Sequence, residues 1–355
     1  MKKGIILAVV VGVGILVFSQ RIAIIEGILG RAMVVQMGTN TMDALEDGLH
    51  LALCGAGGPM PSPKASGPCV AVVAGEKLFV VDAGTDGLRN LQRMAYPVGE
   101  IEAVLLTHFH SDHIDGLGEL GTIRWASGDV SHPLPVYGPP GVEDVVAGFN
   151  AAYAQDFIYR HEHHGDAVAP LEAAGLEAYT FALPEMGRLE PVFSDGDLRI
   201  EALVVDHAPV APAVGYKFTY KDRSLLITGD TAQSDNIVAL AQGVDLLVHE
   251  ALAPNLLKMM NQAAVANDNP ILAKIFIDVL DYHASPVEAA ETARDADVGH
   301  LLYYHIVPPL LVPGQEALWL NGAGAIFPEY TVGVDGVAFS LPAGSDRIEQ
   351  TAKGL

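Results

Sequence analysis

Cysteine is nearly absent from this chain, with only Cys54 and Cys69 in 355 residues. Two thiols cannot frame a disulfide-stapled fold or a cysteine-rich zinc module. Both fall in or beside apolar runs, so two buried thiols are expected, with a single disulfide as the alternative. Basic residues are also scarce, 20 against 43 acidic, for a formal net charge of -23. Bare nucleic-acid-binding surfaces neutralise phosphates with clustered Lys and Arg, so this balance argues against nucleic acid as a partner. Any polyanionic substrate would have to be held by metal. No segment repeats at a fixed period, which excludes a solenoid. What remains is enough length to bury a full core as one large domain or two.

One long uncharged run is present, Gly4 to Gln20, preceded by Lys2 and Lys3. Its 17 residues are at the short end of what spans a bilayer, but Arg21 can snorkel and apolar residues resume at Ile22 to Ile25. No small-x-small cleavage site stands near Ser19 and no lipobox cysteine follows, so an uncleaved anchor is preferred to a cleaved, secreted form. The two lysines then leave the N-terminus in the cytoplasm, with the chain anchored in the inner membrane and its body periplasmic or extracellular. Residues 1–45 carry four basic residues against two acidic ones, so nearly all the negative charge lies beyond them. This asymmetry separates an anchor or signal segment with its linker (1–45) from a body at 46–345 and a tail at 346–355.

From about Leu49 the pattern changes. PCVAVVAGEKLFVVDAG reads as two strands joined at a Gly-Glu turn, GLRNLQRMAY as a helix, and IEAVLLTHFHSDH as a buried strand running into a histidine loop. LRIEALVVDH, VGYKFTYKDRSLLITGD and VDLLVHE are further strands, each ending in a polar residue. Such strand ends converge on one edge of a sheet, where open α/β architectures build sites. Residues 141–195 break the pattern with a helix and an Ala/Glu/Pro-rich stretch, expected as an insertion or lid. In HASPVEAAETA, Ser285, Pro286 and Glu288 have the spacing of an N-cap, first helical residue and capping box.

The segment THFHSDH, Thr107 to His113, points to metal. His108 and His110 lie two apart, so on an extended segment they face one side and can chelate one ion. Asp112 and His113 follow a bend and suit a second. Further ligands are needed, and His207, Asp230 in ITGDT and His305 in LLYYHIVPP supply them. Zinc suits this nitrogen and oxygen set, with manganese or iron as alternatives. His50, His132, His249 and His300 are expected to be structural, and the run Arg160 to His164 to be a solvated helix face.

These residues resemble the metallo-β-lactamase superfamily over roughly 48–342. LCGAGGPMPSP, FVVDAGTDGLRNL, PVYGPPG, VVDHAPVAPAVGY, TGDT, LLVHEAL and HASPVEAAETA are most similar to its ribonuclease Z and arylsulfatase/phosphodiesterase-like branch. The resemblance implies an α/β fold, a four-layer αββα sandwich behind the N-terminal helix, with a dinuclear site at one edge. It implies one Zn²⁺ on His108, His110 and His207, a second on Asp112, His113 and His305, and Asp230 between them. A bridging hydroxide would attack the ester, with Asp112 orienting it. Glu250 and His283 would form a pair near the leaving group, the alternative being a structural ion pair at a helix start.

Departures from ribonuclease Z narrow the expected substrate. The basic-tipped arm of those enzymes is replaced here by KFTYKDRSLLIT, residues 217–228, and His305 continues to IVPPL without an Arg-Tyr pair. The expectation is therefore a metal-dependent hydrolase acting on a small phosphodiester or aryl sulfate, anchored at the membrane, with a homodimer compatible. A ribonuclease Z-like endoribonuclease acting on tRNA 3′ ends is the alternative.

Overall fold

In the computed structural model, which describes the backbone of residues 2–355 and the side chains of 18–355, the apolar runs become central strands. Cys69–Ala74 is buried on both faces and pairs antiparallel with Lys77–Val81 across the expected Gly75–Glu76 turn. Continuous rather than alternating apolar character is what a strand needs when both of its faces are covered.

Two sheets result. The first runs in the spatial order Glu349–Lys353, Val337–Pro342, Gly48–Gly55, Cys69–Ala74, Lys77–Val81, Ile101–Leu105, Leu134–Gly138, Leu176–Thr180. The second runs Tyr330–Val332, His300–Val307, Leu246–Leu252, Arg223–Ile227, Val214–Tyr220, Leu198–Val204, Glu190–Asp195. Each is antiparallel on one side and parallel on the other, the parallel parts being Lys77 to Thr180 and Arg223 to Val332.

The inner faces meet through Leu51, Val72, Phe79 and Leu105 on one side and Ile200, Phe218, Val248 and Leu302 on the other. Burying each such side chain contributes about 1.5–3 kcal/mol. Leu88, Leu91, Leu117 and Leu120 bring the helices Gly87–Arg93 and Leu117–Ser127 onto the outer face of the first sheet. Ile237, Ala289, Ala293 and Trp319 do the same for the second. The layers are α, β, β, α, as the resemblance implies.

Four expectations change. Cys54 and Cys69 form a disulfide rather than two buried thiols. The ladder between their strands shifts register between Leu53 and Gly55, which sets Cys54 beside Cys69 at a Cα separation of 4.9 Å. Residues 141–195 hold the helix Val142–His164, but the rest supplies edge strands to both sheets, Leu176–Thr180 and Glu190–Asp195. Residues 346–355 add the edge strand Glu349–Lys353. A helix, Lys2–Met37, precedes the sandwich. The expected span from Gly4 falls mostly on residues outside those whose side chains are described. Among the described residues, no helix is long and apolar enough to cross a membrane, so the expected anchor is not borne out there.

Candidate metal centre

Strand ends from both sheets meet at one edge. Ile101–Leu105 delivers Thr107 to His113, Leu198–Val204 leads to His207, Arg223–Ile227 leads to Asp230, and His300–Val307 carries His305. In that last strand the pairing passes from Glu250 with Tyr304 to Ala251 with Ile306, so His305 is bulged out of the ladder. Its φ of +45° is the left-handed region, a strained setting for a residue with a Cβ, and it re-aims the ring toward the other ligand-type groups. The chain opposite must approach closely: a Cβ on Gly58 would stand 2.9 Å from the His305 ring.

The sequence-singled residues converge. Ligand-type atoms of His108, His110, His207 and Asp230 lie within 4.8 Å of one another, as do those of Asp112, His113 and His305. One oxygen of Asp230, Oδ2, is 3.8 Å from His108 Nε2, 3.4 Å from His113 Nε2, 3.9 Å from His207 Nε2 and 3.5 Å from His305 Nε2. These exceed normal hydrogen bonds; the two shorter ones are close to the ~3.3–3.4 Å edge of a tetrahedron with metal–nitrogen bonds of about 2.0–2.1 Å, and the two longer ones exceed it.

Hydrogen bonds on the outer nitrogens fix which lone pairs face inward. His113 Nδ1 donates to Asp82 Oδ2 at 2.8 Å, and His207 Nδ1 donates to the Tyr282 carbonyl at 2.8 Å. Each leaves an inward Nε2 as an acceptor, buried and without a partner, as is Asp230 Oδ1. Two buried acceptor nitrogens beside a carboxylate oxygen that has no donor would be costly unless a cation joined them, so the donor set fits a metal.

Electrostatics agree for His108 but not for His113, where burial opposes charge and the Asp230 and Asp82 carboxylates outweigh it, pushing the ring well above its ordinary range; a bound cation would displace that proton. Burial, reinforced by His113, pushes His108 well below its ordinary range, so the ring stays neutral and available as a ligand. Burial acts to raise the Asp230 pKa, but His305 and His113 outweigh it and hold the carboxyl well below the usual range. At the cavity rim, His283 Nδ1 donates to Glu250 Oε1 at 2.7 Å, and that oxygen also accepts from the Thr231 amide at 2.9 Å. Burial opposes charge on His283, but Glu250 outweighs it, and the imidazole is pushed up to about 9. The helix after it starts at the expected Ser285 and Glu288 capping box.

Asp82 escaped the sequence reading. It accepts from the Thr107 amide and hydroxyl as well as from His113, each at 2.8 Å, and so ties the histidine loop to the preceding hairpin. Its signal was available: it is an Asp directly after a buried strand, and Asp230 likewise stands just beyond one. The histidines expected to be structural stand apart from the centre. His50 bonds the Glu46 carbonyl, His132 that of Pro133, His249 that of Glu250, and His300 the Thr331 hydroxyl. His163 and His164 are exposed at a helix end.

A family model described as a beta-lactamase superfamily domain matches residues 78–306, which span every residue of this centre. The chain belongs to the metallo-β-lactamase superfamily. A relative named ribonuclease Z from Mycobacterium sp. (strain KMS) is 36% identical over 282 residues, 79% of this chain and 91% of that protein. Another from Mycobacterium bovis (strain BCG / Pasteur 1173P2) is 34% identical over 273 residues, 76% of this chain and 90% of that protein. Among solved structures, human tRNase Z, short form, has a TM-score of 0.60 at 19% identity, covering 82% of this chain and 99% of its own. The metallo-beta-lactamase fold protein YhfI from Bacillus subtilis gives 0.58 at 19%, with the same coverage. These two show the fold. This member of the superfamily is a metal-dependent hydrolase acting on ester bonds.

Three expectations are corrected. A small phosphodiester or aryl sulfate as substrate, and the exclusion of nucleic acid, are overturned by relatives named for a ribonuclease across three quarters of the chain. Export on a membrane anchor is not borne out either: among the described residues no helix is long and apolar enough to cross a membrane. The physical error lay in using bulk charge and one absent arm. The short hairpin is real, with Val214–Tyr220 turning directly into Arg223–Ile227. But a missing arm changes how a substrate is gripped far from the centre, and net charge averages over surfaces the substrate never touches.

Proposed function

We propose that the protein is a ribonuclease Z-type endoribonuclease that cleaves a phosphodiester at the 3′ end of tRNA precursors. Identity to curated ribonucleases Z over most of both chains carries the reading, and the centre has the residues the chemistry needs. His108, His110 and His207 would hold one divalent ion and Asp112, His113 and His305 a second, with Asp230 between them. Zinc suits these donors. When bound, such ions supply a water of lowered pKa and neutralise charge on the phosphoryl oxygens.

The chain's own residues do the rest. Asp112, partly exposed at the cavity and 3.4 Å from His305 Nε2, is placed to orient the attacking water and accept its proton. Glu250 fixes the His283 ring through Nδ1, which leaves the Nε2 proton to be given to the departing ribose oxygen. Asp82 holds His113 in the tautomer that presents Nε2 inward. The body performing this chemistry spans 46–355, with 1–45 ahead of it.

The test is incubation of metal-loaded protein with a precursor tRNA, bis-p-nitrophenyl phosphate and p-nitrophenyl sulfate. Endonucleolytic release of the 3′ trailer is expected. Turnover of the small esters with the precursor left intact would overturn the reading.

A further inference from the structure

The cavity beside the centre encloses about 300 Å³ and has two unlike walls. One is the polar edge, with His110, Asp112, Asp230, His283 and His305. The other is apolar and aromatic, formed by Met60, Leu257, Ile275, Phe276, Val279 and Tyr282. Among the described residues, no Lys or Arg lines either wall. The lysine on the overlying helix, Lys274, is paired with Asp278. A second phosphate would therefore find no cation on the apolar side, whereas a flat, uncharged ring system would find matching surface.

Tyr282 is the centrepiece of that wall. Its ring stands edge-on to His207 at 4.8 Å between centroids and tilted against His283 at 4.6 Å. Its carbonyl is anchored by His207 Nδ1. The ring is thus held at the junction of the two walls before any ligand arrives, so little conformational freedom remains to be lost on stacking. Nucleobases stack on such platforms whatever their hydrogen-bonding edge.

We propose that the apolar wall is a nucleobase subsite, in which an unpaired base of the nucleotide carrying the scissile phosphate stacks on Tyr282 and packs against Ile275 and Phe276. Its phosphate then faces the histidine and aspartate wall. This rests on the ribonuclease reading and adds to it a base-recognition element from the helix Pro270–Asp278 and the turn that follows.

The test is calorimetric binding of adenosine 5′-monophosphate and of ribose 5-phosphate to the zinc-loaded full chain, since the two ligands differ by the base. The nucleotide is expected to bind roughly tenfold tighter. Tyr282→Phe keeps that ratio, while Tyr282→Ala and Ile275→Ala each lower it. Ile275 is 47% exposed, so its substitution separates lost packing from a disturbed core. Equal affinity of the wild-type protein for the two ligands, or a ratio unchanged in both alanine variants, overturns the subsite. Precursor cleavage is scored separately. RNA cleavage without a base advantage refutes the subsite and keeps the ribonuclease reading; a base advantage without RNA cleavage does the reverse.

Discussion

At the strand-end edge, His108, His113, His207, Asp230 and His305 are all buried, and their neighbours, including Asp82 and the Tyr282 carbonyl, dictate which atoms face inward. Across the same cavity, the helices Pro254–Ala266 and Pro270–Asp278 expose Met259, Ile271, Ile275 and Ile277. The first region is constrained, because its groups lie on or just beyond strand ends and the rings of His113 and His207 are each held by a hydrogen bond. The second is a pair of amphipathic helices whose outer residues are held by little besides their own turns. The polar and the apolar wall of the cavity thus belong to separate parts of the molecule, and the two proposals assign chemistry to the first and substrate choice to the second.

Breaking the rigid edge should have the largest effect. Removing metal with a chelator, or replacing Asp230 with Ala, is expected to lower phosphodiester turnover by at least ~10³-fold, since metal activation is worth several kcal/mol. Metal analysis should show loss of ions from the variant, and full activity in metal-free protein would end the proposal. Glu250→Gln should keep the fold and metal content but lower kcat by roughly 10²-fold, because His283 loses its charged partner. A drop in KM alone, with kcat unchanged, would place Glu250 outside the chemistry.

Smaller effects sharpen the contrast. Asp82→Ala should weaken metal affinity about 10–100-fold, measured by competition with a chromogenic chelator, by freeing the His113 ring. On the exposed side, Ile275→Ala should leave metal affinity unchanged and reduce only the base-dependent part of ligand binding. The disulfide, which contributes no ligand-type group, offers a stability control. Cys54→Ser paired with Cys69→Ser should lower unfolding stability by about 3 kcal/mol for a loop of this length, with kcat unaltered.

The parts of the fold readable in advance were those with a local signature. Apolar runs such as VAVVA and KLFVV marked strands, Ser285 and Glu288 marked a helix start, and the density of THFHSDH marked metal chemistry. Asp82 was missed because an Asp after a strand is usually a turn residue, and only its neighbours reveal otherwise. Tyr282 was missed because one aromatic before a histidine has no pattern. The disulfide was misjudged because it depends on a register shift at Leu53 to Gly55, which sequence spacing does not encode.

By itself, then, the sequence determined the inventory of buried strands and of strand-end histidines and aspartates. These follow from hydrophobic periodicity and residue chemistry, which act over a few residues. Only the tertiary structure decided how the inventory is assembled. It turned four imidazole nitrogens toward one Asp230 oxygen, joined Cys54 to Cys69, and faced the polar edge with an apolar wall. Those outcomes depend on contacts between residues up to about two hundred positions apart, such as Asp112 with His305, whose geometry is set by the packing of two sheets and not by any local pattern.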